Sequence, residues 1–231
     1  MKIKLVTTYN NKLYKEYAHK FFETYNWPFD VLSYNEDDNL FPLIPNCKSF
    51  VDRNGDREVT DFKFDAVRFC YKVYSYTYAI LNEDVDGLIC IDADSIFYKP
   101  IDIHFIIDKI HRDDCMMSYL GRHGLHSECG FLYFNLNHPF CKTYAKAMQE
   151  IYDTDRVYDL KECHDSYVWD YVRIFFEQNY GVKNFNITKE QEVECLYHQA
   201  HVQAISCLAP YYDHCKGNRK EQGKSPEKNK L

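Results

Sequence analysis

The sequence predicts an α/β fold in which a mostly parallel sheet is flanked by helices. Three observations carry that reading. Apolar strand-like runs alternate with helical patterns through the first ninety or so residues, the order that parallel sheets require. One of these runs, Leu88-Ile89-Cys90-Ile91, drives straight into Asp92-Ala93-Asp94, as a buried strand does when it ends at a polar rim. The 231 residues are 45% hydrophobic and 17% aromatic, enough to build one sizeable core.

Each element follows from its local pattern. Residues 2–8 (KIKLVTT) read as a first strand, 11–25 as a helix and 29–34 (FDVLSY) as a second strand. Residues 35–60 read as turn-rich, because Asp37-Asp38-Asn39, Pro42, Pro45 and Arg53-Asn54-Gly55-Asp56 punctuate them. A long helix is predicted from Asp61 to Leu81, where Phe64, Val67, Tyr71, Tyr74, Tyr78 and Leu81 recur at helical spacing. The strand at 86–91 follows, then a short helix over 102–111 and strands over 114–120 and 129–135. Helices over 139–152 and 164–178 and a strand over 182–187 complete the pattern. There is no internal repeat. Residues 1–220 read as one domain and 221–231 as a basic, flexible tail.

Bulk properties narrow the function. The formal net charge of −7 argues against a general nucleic-acid binder, whose footprint is basic. No apolar stretch reaches the roughly 18–20 residues that cross a bilayer, and MKIKLVTTYN turns polar too early for a signal peptide. A soluble, cytoplasmic protein without a transmembrane segment is the expectation. Ten cysteines (47, 70, 90, 115, 129, 141, 163, 195, 207 and 215) contain no C-x-x-C pair, so a zinc ribbon or redox motif is not expected. They read as buried small hydrophobes. The eight glycines form neither G-x-G-x-x-G nor G-x-x-x-x-G-K-[ST], which removes the two common backbone phosphate cradles.

Two carboxylates one residue apart at a strand's carboxyl end offer hard oxygen ligands, suited to Mg²⁺ or Mn²⁺ shared with substrate phosphates. With its flanks, the segment IDADSIFYKPI resembles the Asp-x-Asp motif of nucleotide-sugar-dependent glycosyltransferases of the GT-A fold. Further segments resemble that family in the same order. These are Ser127-Glu128-Cys129-Gly130-Phe131, His164-Asp165-Ser166 at a helix start, and His214-Cys215-Lys216-Gly217-Asn218-Arg219-Lys220.

The resemblance implies a GT-A-like, Rossmann-related mixed sheet and a metal-dependent glycosyltransferase. The enzyme would move a sugar from a nucleoside diphosphate, UDP more than GDP, to a glycan or other hydroxyl acceptor. It implies that Asp92, Asp94 and His214 hold Mn²⁺ or Mg²⁺. Lys216, Gly217 and Arg219 would grip the diphosphate, with Ala93 beside the nucleotide. Thr7, Thr8 and Tyr9 would hold base and ribose, and Arg68 or Lys72 would supply a cation from the helix before the metal strand. Glu128, Cys129 and Gly130 would position the sugar or acceptor, Gly130 by letting a sugar approach the backbone. Asp165 is the candidate general base, although Asp165 or Ser166 equally suits a helix N-cap; inverting and retaining chemistry both stay open. The chain from about 212 is expected to order only with donor. A sugar-phosphate nucleotidyltransferase and a non-catalytic nucleotide- or glycan-binding protein of the same fold are the alternatives.

Overall fold

The computed structural model describes residues 1–188, 202–217 and 219–226; Cys195 and residues 227–231 lie outside them. Strand β1 (Ile3–Tyr9) is followed at once by a helical segment. That segment runs through α1 (Asn11–Leu13), a π-turn stretch and α2 (His19–Thr24), with the Asn10 side chain capping its start. After β2 (Asp30–Asn35) come α3 (Leu40–Leu43), α4 (Pro45–Asn54) and the long α5 (Ala66–Asn82). Strands β3 (Gly87–Ile91) and β4 (Ser95–Phe97) bracket the Asp-x-Asp segment. Then follow α6 (Ile103–Phe105), β5 (Met117–Arg122), β6 (Leu125–Asn135), α7 (Cys141–Asp153), α8 (Asp165–Tyr180) and β7 (Phe185–Asn186). Last come β8 (Tyr212–His214) and α9 (Arg219–Gln222).

The main sheet has the order β2-β1-β3-β6-β5-β7. β1 pairs in parallel with β2 and β3, and β5 with β7, whereas β6 runs antiparallel to both β3 and β5. The sheet is therefore mixed and mostly parallel. Strand β3 is buried along its whole length. Leu88 and Cys90 enter the core under α5, α7 and α8, while Ile89 and Ile91 enter a second core with Trp27, Phe97 and Tyr212. A strand covered on both faces explains why its sequence is a continuous apolar run rather than an alternation.

Three differences from the sequence reading have clear causes. The region 35–60 holds two helices, not only turns. Pro45 stands at the first helical position, where its fixed φ helps and its missing N–H costs nothing. Cys47, Phe50 and Asn54 then bury one helical face. The long helix begins at Ala66, with the Asp65 carboxylate accepting from the Arg68 N–H at 3.0 Å. Phe64 lies outside it, in a single 3₁₀ turn, and is half exposed. Finally, Tyr212–His214 form a fully buried strand, where the sequence reading placed no element.

Among the described residues, Cys47, Cys70, Cys90, Cys115, Cys129, Cys141 and Cys163 are buried free thiols, and Cys215 is buried as well. Among the described residues, no helix is long and apolar enough to cross a membrane.

Glu36, just past the carboxyl end of β2, donates its backbone N–H to the Tyr9 carbonyl at 2.8 Å and accepts from Asn10 Nδ2 at 3.0 Å. Burial pushes its carboxyl up to about 7, above the usual 4.5. The native state thus holds a proton that the unfolded chain releases between those values. The stabilisation is complete below about pH 4.5 and is lost as pH rises through about 7. Glu36→Gln is therefore expected to match wild type in urea unfolding at pH 5 and to exceed it at pH 8. A difference that does not change with pH would contradict this.

Candidate functional site

Two pieces of local structure assemble the site. β3 ends at Asp92 on the carboxyl rim of the parallel strands, where ligands bind in open α/β sheets. β4 then pairs antiparallel with β8, matching Ser95 to His214, and the Cys215 N–H donates to the Asp94 carbonyl at 2.8 Å. This pairing carries His214 from far downstream to the acidic pair. Its Nε2 lies 3.0 Å from Asp94 Oδ1 and 3.5 Å from Asp92 Oδ2. The ring sits in the space left by Gly130, where an added Cβ would collide with the imidazole. Gly130 thus makes room for His214.

The cluster is charge-balanced. Lys72, buried on α5, reaches Asp92 Oδ1 at 2.6 Å and Asp165 Oδ2 at 2.8 Å, and donates to the Cys129 carbonyl at 2.8 Å. Burial alone would lower its pKa, but the Asp165 and Asp92 carboxylates raise it well above the usual value. Tyr76 OH donates to Asp92 Oδ1 at 3.3 Å. Glu128 is paired with Lys216, lies 3.4 Å from His214 Nδ1 and 3.7 Å from Arg122, and is held well below the usual carboxylate range despite its burial. Lys220 meets Asp94 Oδ2 at 3.1 Å and lies over the Tyr17 ring at 3.8 Å. His214 is pulled down by burial but held up to about 10 by Asp94 and Glu128.

Asp92, Asp94 and His214 offer ligand atoms that all lie within 4.8 Å of one another. Two carboxylates and an imidazole form a donor set that fits Mn²⁺ well and Mg²⁺ acceptably. Asp94, Glu128, His214, Lys216, Gly217 and Lys220 line one side of a cleft of about 640 Å³, with Arg68, Cys129, Gly130 and Asp165 also on its wall.

The remaining expected residues lie elsewhere. Thr7 is fully buried, which removes it from any binding surface. Thr8 donates to the Tyr34 carbonyl at 3.0 Å, and the Tyr9 ring packs on Tyr14 and Phe22. Neither they nor Ala93 and Arg219 belong to the cleft lining, whereas Lys72 stands behind it and meets the first aspartate, Asp92, as a cation from the helix before the metal strand would. Arg219 opens α9, and Ala93 is buried between the two aspartates. Asp165 stands at the first position of α8, ion-paired to Lys72, and the N–H of the next residue, Ser166, donates to its carboxylate at 2.8 Å. Burial would raise its pKa, yet Lys72 and that bond bring it below the ordinary value, which suits an anchor for the lysine better than a base. Sequence reasoning did not single out Lys220 or Arg122. Lys220 was visible as the last cation of the His214 segment, whereas Arg122 has no signal beyond its nearness to Glu128 in the hairpin.

The architecture, a mixed and mostly parallel sheet flanked by helices with the acidic pair, His214 and the basic loop at its carboxyl rim, is a GT-A-like α/β fold. No family model and no curated protein sequence matches the chain. Among solved structures it is similar to a glycosyltransferase involved in the glycosylation of the major capsid of PBCV-1. The TM-score is 0.54 at 9% identity, over 96% of this chain and 97% of that one. It is also similar to the glycosyltransferase GlyE of Streptococcus pneumoniae TIGR4, with a TM-score of 0.51 at 12% identity, over 94% of this chain. The chain spans 56% of GlyE's length.

Lys72 neutralises two buried carboxylates, and removing one member of such a set costs about 3–5 kcal/mol. Lys72→Met is expected to lose about that much stability in urea titration, and adding Asp165→Asn to recover part of it. A double variant no more stable than Lys72→Met would show that the pair does not act as a unit.

Proposed function

We propose that the protein transfers a sugar from a nucleoside-diphosphate sugar, a UDP-sugar by preference, to a hydroxyl of a glycan or similar acceptor, with Mn²⁺ or Mg²⁺. The single observation that supports this is the convergence of Asp92, Asp94 and His214 with the ammonium groups of Lys216 and Lys220 along one cleft. Asp92, Asp94 and His214 hold the cation, which when bound supplies Lewis-acid neutralisation of the leaving diphosphate. Lys216 and Lys220 face the same charge from the basic loop. Each is already paired with an acid, Glu128 and Asp94 respectively, so an arriving diphosphate competes for cations that are held in place. Lys72 and Asp165 fix Asp92 from behind. Such fixed charges cost no reorganisation when negative charge develops.

The nucleotidyltransferase alternative gains no support, because α1 begins directly after β1 with Asn10 as its cap, leaving no basic, glycine-rich loop there. A non-catalytic binder is separated from an enzyme by experiment. With manganese and a panel of nucleotide sugars, wild type is expected to release nucleoside diphosphate. Asp94→Asn is expected to reduce turnover by about 10²-fold or more, matching the loss of several kcal/mol of charge stabilisation. Nucleotide binding without turnover by wild type, across donors and acceptors, would favour the binder. The Gly130 contact gives a second check. Gly130→Ala is expected to weaken manganese affinity about tenfold or more by displacing the His214 ring, as read by calorimetry. Unchanged affinity would remove His214 from the ligand set.

A further inference from the structure

We infer that the same cleft carries a second metal site, built for a transition ion such as Zn²⁺ from His126, Glu162 and His164. Three observations support it. First, the ligand atoms converge. Glu162 Oε2 lies 2.7 Å from His164 Nε2 and 3.9 Å from His126 Nε2, and one ligand atom from each of the three residues falls within 4.8 Å of the others. Ligands bound at about 2.0–2.1 Å in a tetrahedron stand about 3.3 Å apart, so only small side-chain shifts separate this arrangement from coordination. Second, His₂Glu with an open fourth position is a common zinc donor set. Imidazole-rich sites favour zinc, whereas the oxygen-rich Asp92–Asp94 end favours Mg²⁺ or Mn²⁺. Third, a fixed carboxylate stands on the far side of one imidazole. The other ring nitrogen of His126, Nδ1, faces Asp170 Oδ2 at 3.9 Å. Asp170 is itself fixed by the Ser127 N–H and hydroxyl, both at 2.7 Å, and by Arg173. A carboxylate behind a ligating imidazole orients the ring.

The fold explains why these residues meet. His126 is the second residue of β6, Glu162 precedes α8 and His164 is its N-cap residue. An ion there would tie the β5–β6 hairpin to the start of α8. Two cations lie nearby, and neither meets the ligand atoms that converge: Lys63 pairs with the other oxygen of Glu162, Oε1, at 3.4 Å, and Arg122 bonds backbone carbonyls, that of Ser127 at 3.3 Å. The rings of Phe62, Phe69 and Tyr167 pack around the imidazoles and shield the site.

The test is zinc binding to the full chain by chelator competition, in millimolar Mg²⁺ to load the acidic site. It does not depend on the transfer reaction. Wild type and Asp94→Asn are both expected to bind one zinc tightly. His126→Ala and Glu162→Gln are each expected to weaken it about 100-fold. The His126 side chain is 38% exposed, so its removal spares the core. Zinc should also raise the melting temperature of wild type but not of His126→Ala. Equal zinc affinity in His126→Ala, Glu162→Gln and wild type would overturn the inference, as would loss of zinc in Asp94→Asn alone.

Discussion

The architecture of the site depends on the pairing of two three-residue strands. β4 and β8 are short, and an isolated pair of that length has little stability of its own. Here the pair is held by the aromatic cluster of Trp27, Phe97 and Tyr212 beneath it, with ring centroids 4.9–5.9 Å apart. The packing of three rings therefore sets where an imidazole stands relative to two carboxylates. The sheet contributes the rim, and the ring cluster contributes the register.

That register lets four acidic groups, Asp92, Asp94, Glu128 and Asp165, share a largely buried volume. Like charges in a poorly solvated place drive one another towards protonation. This chain counters that tendency by interleaving cations from α5, β8 and the basic loop, which hold Asp94, Glu128 and Asp165 below the usual range, while burial still pushes Asp92 up. Fold alone says nothing of donor or acceptor, and those rest on the cleft's own chemistry.

Much of the fold was legible in the sequence because its strands and long helices are strongly periodic. The β3 run, the α5 stripe and the α7 and α8 patterns each announce a burial mode. The acidic pair was legible too, since carboxylates directly after an apolar strand must lie at its rim. What was hidden is long-range. β4 and β8 are too short to show a period, so the neighbourhood of His214 could not be read from local pattern. Gly130 looked like an approach for a ligand because sequence cannot say which ring fills the space beside a missing Cβ. Asp165 looked like a base because its pairing with Lys72 spans distant helices. Pro42 and Pro45 read as breakers, although Pro45 starts a helix and Pro42 lies within a short one.

One small contact in the middle of β8 sets the character of the basic loop. Asp213 is fully buried and accepts from the Ser225 N–H at 2.6 Å and its hydroxyl at 2.8 Å. The segment bearing Lys216 and Lys220 is thus fastened to the body at both ends, as a bow closed on its own string. Holding those lysines in place is then met largely during folding and not at each encounter with an anionic guest. The loop behaves as a preset clasp, whose affinity reflects how well the guest fits rather than how much chain must be frozen.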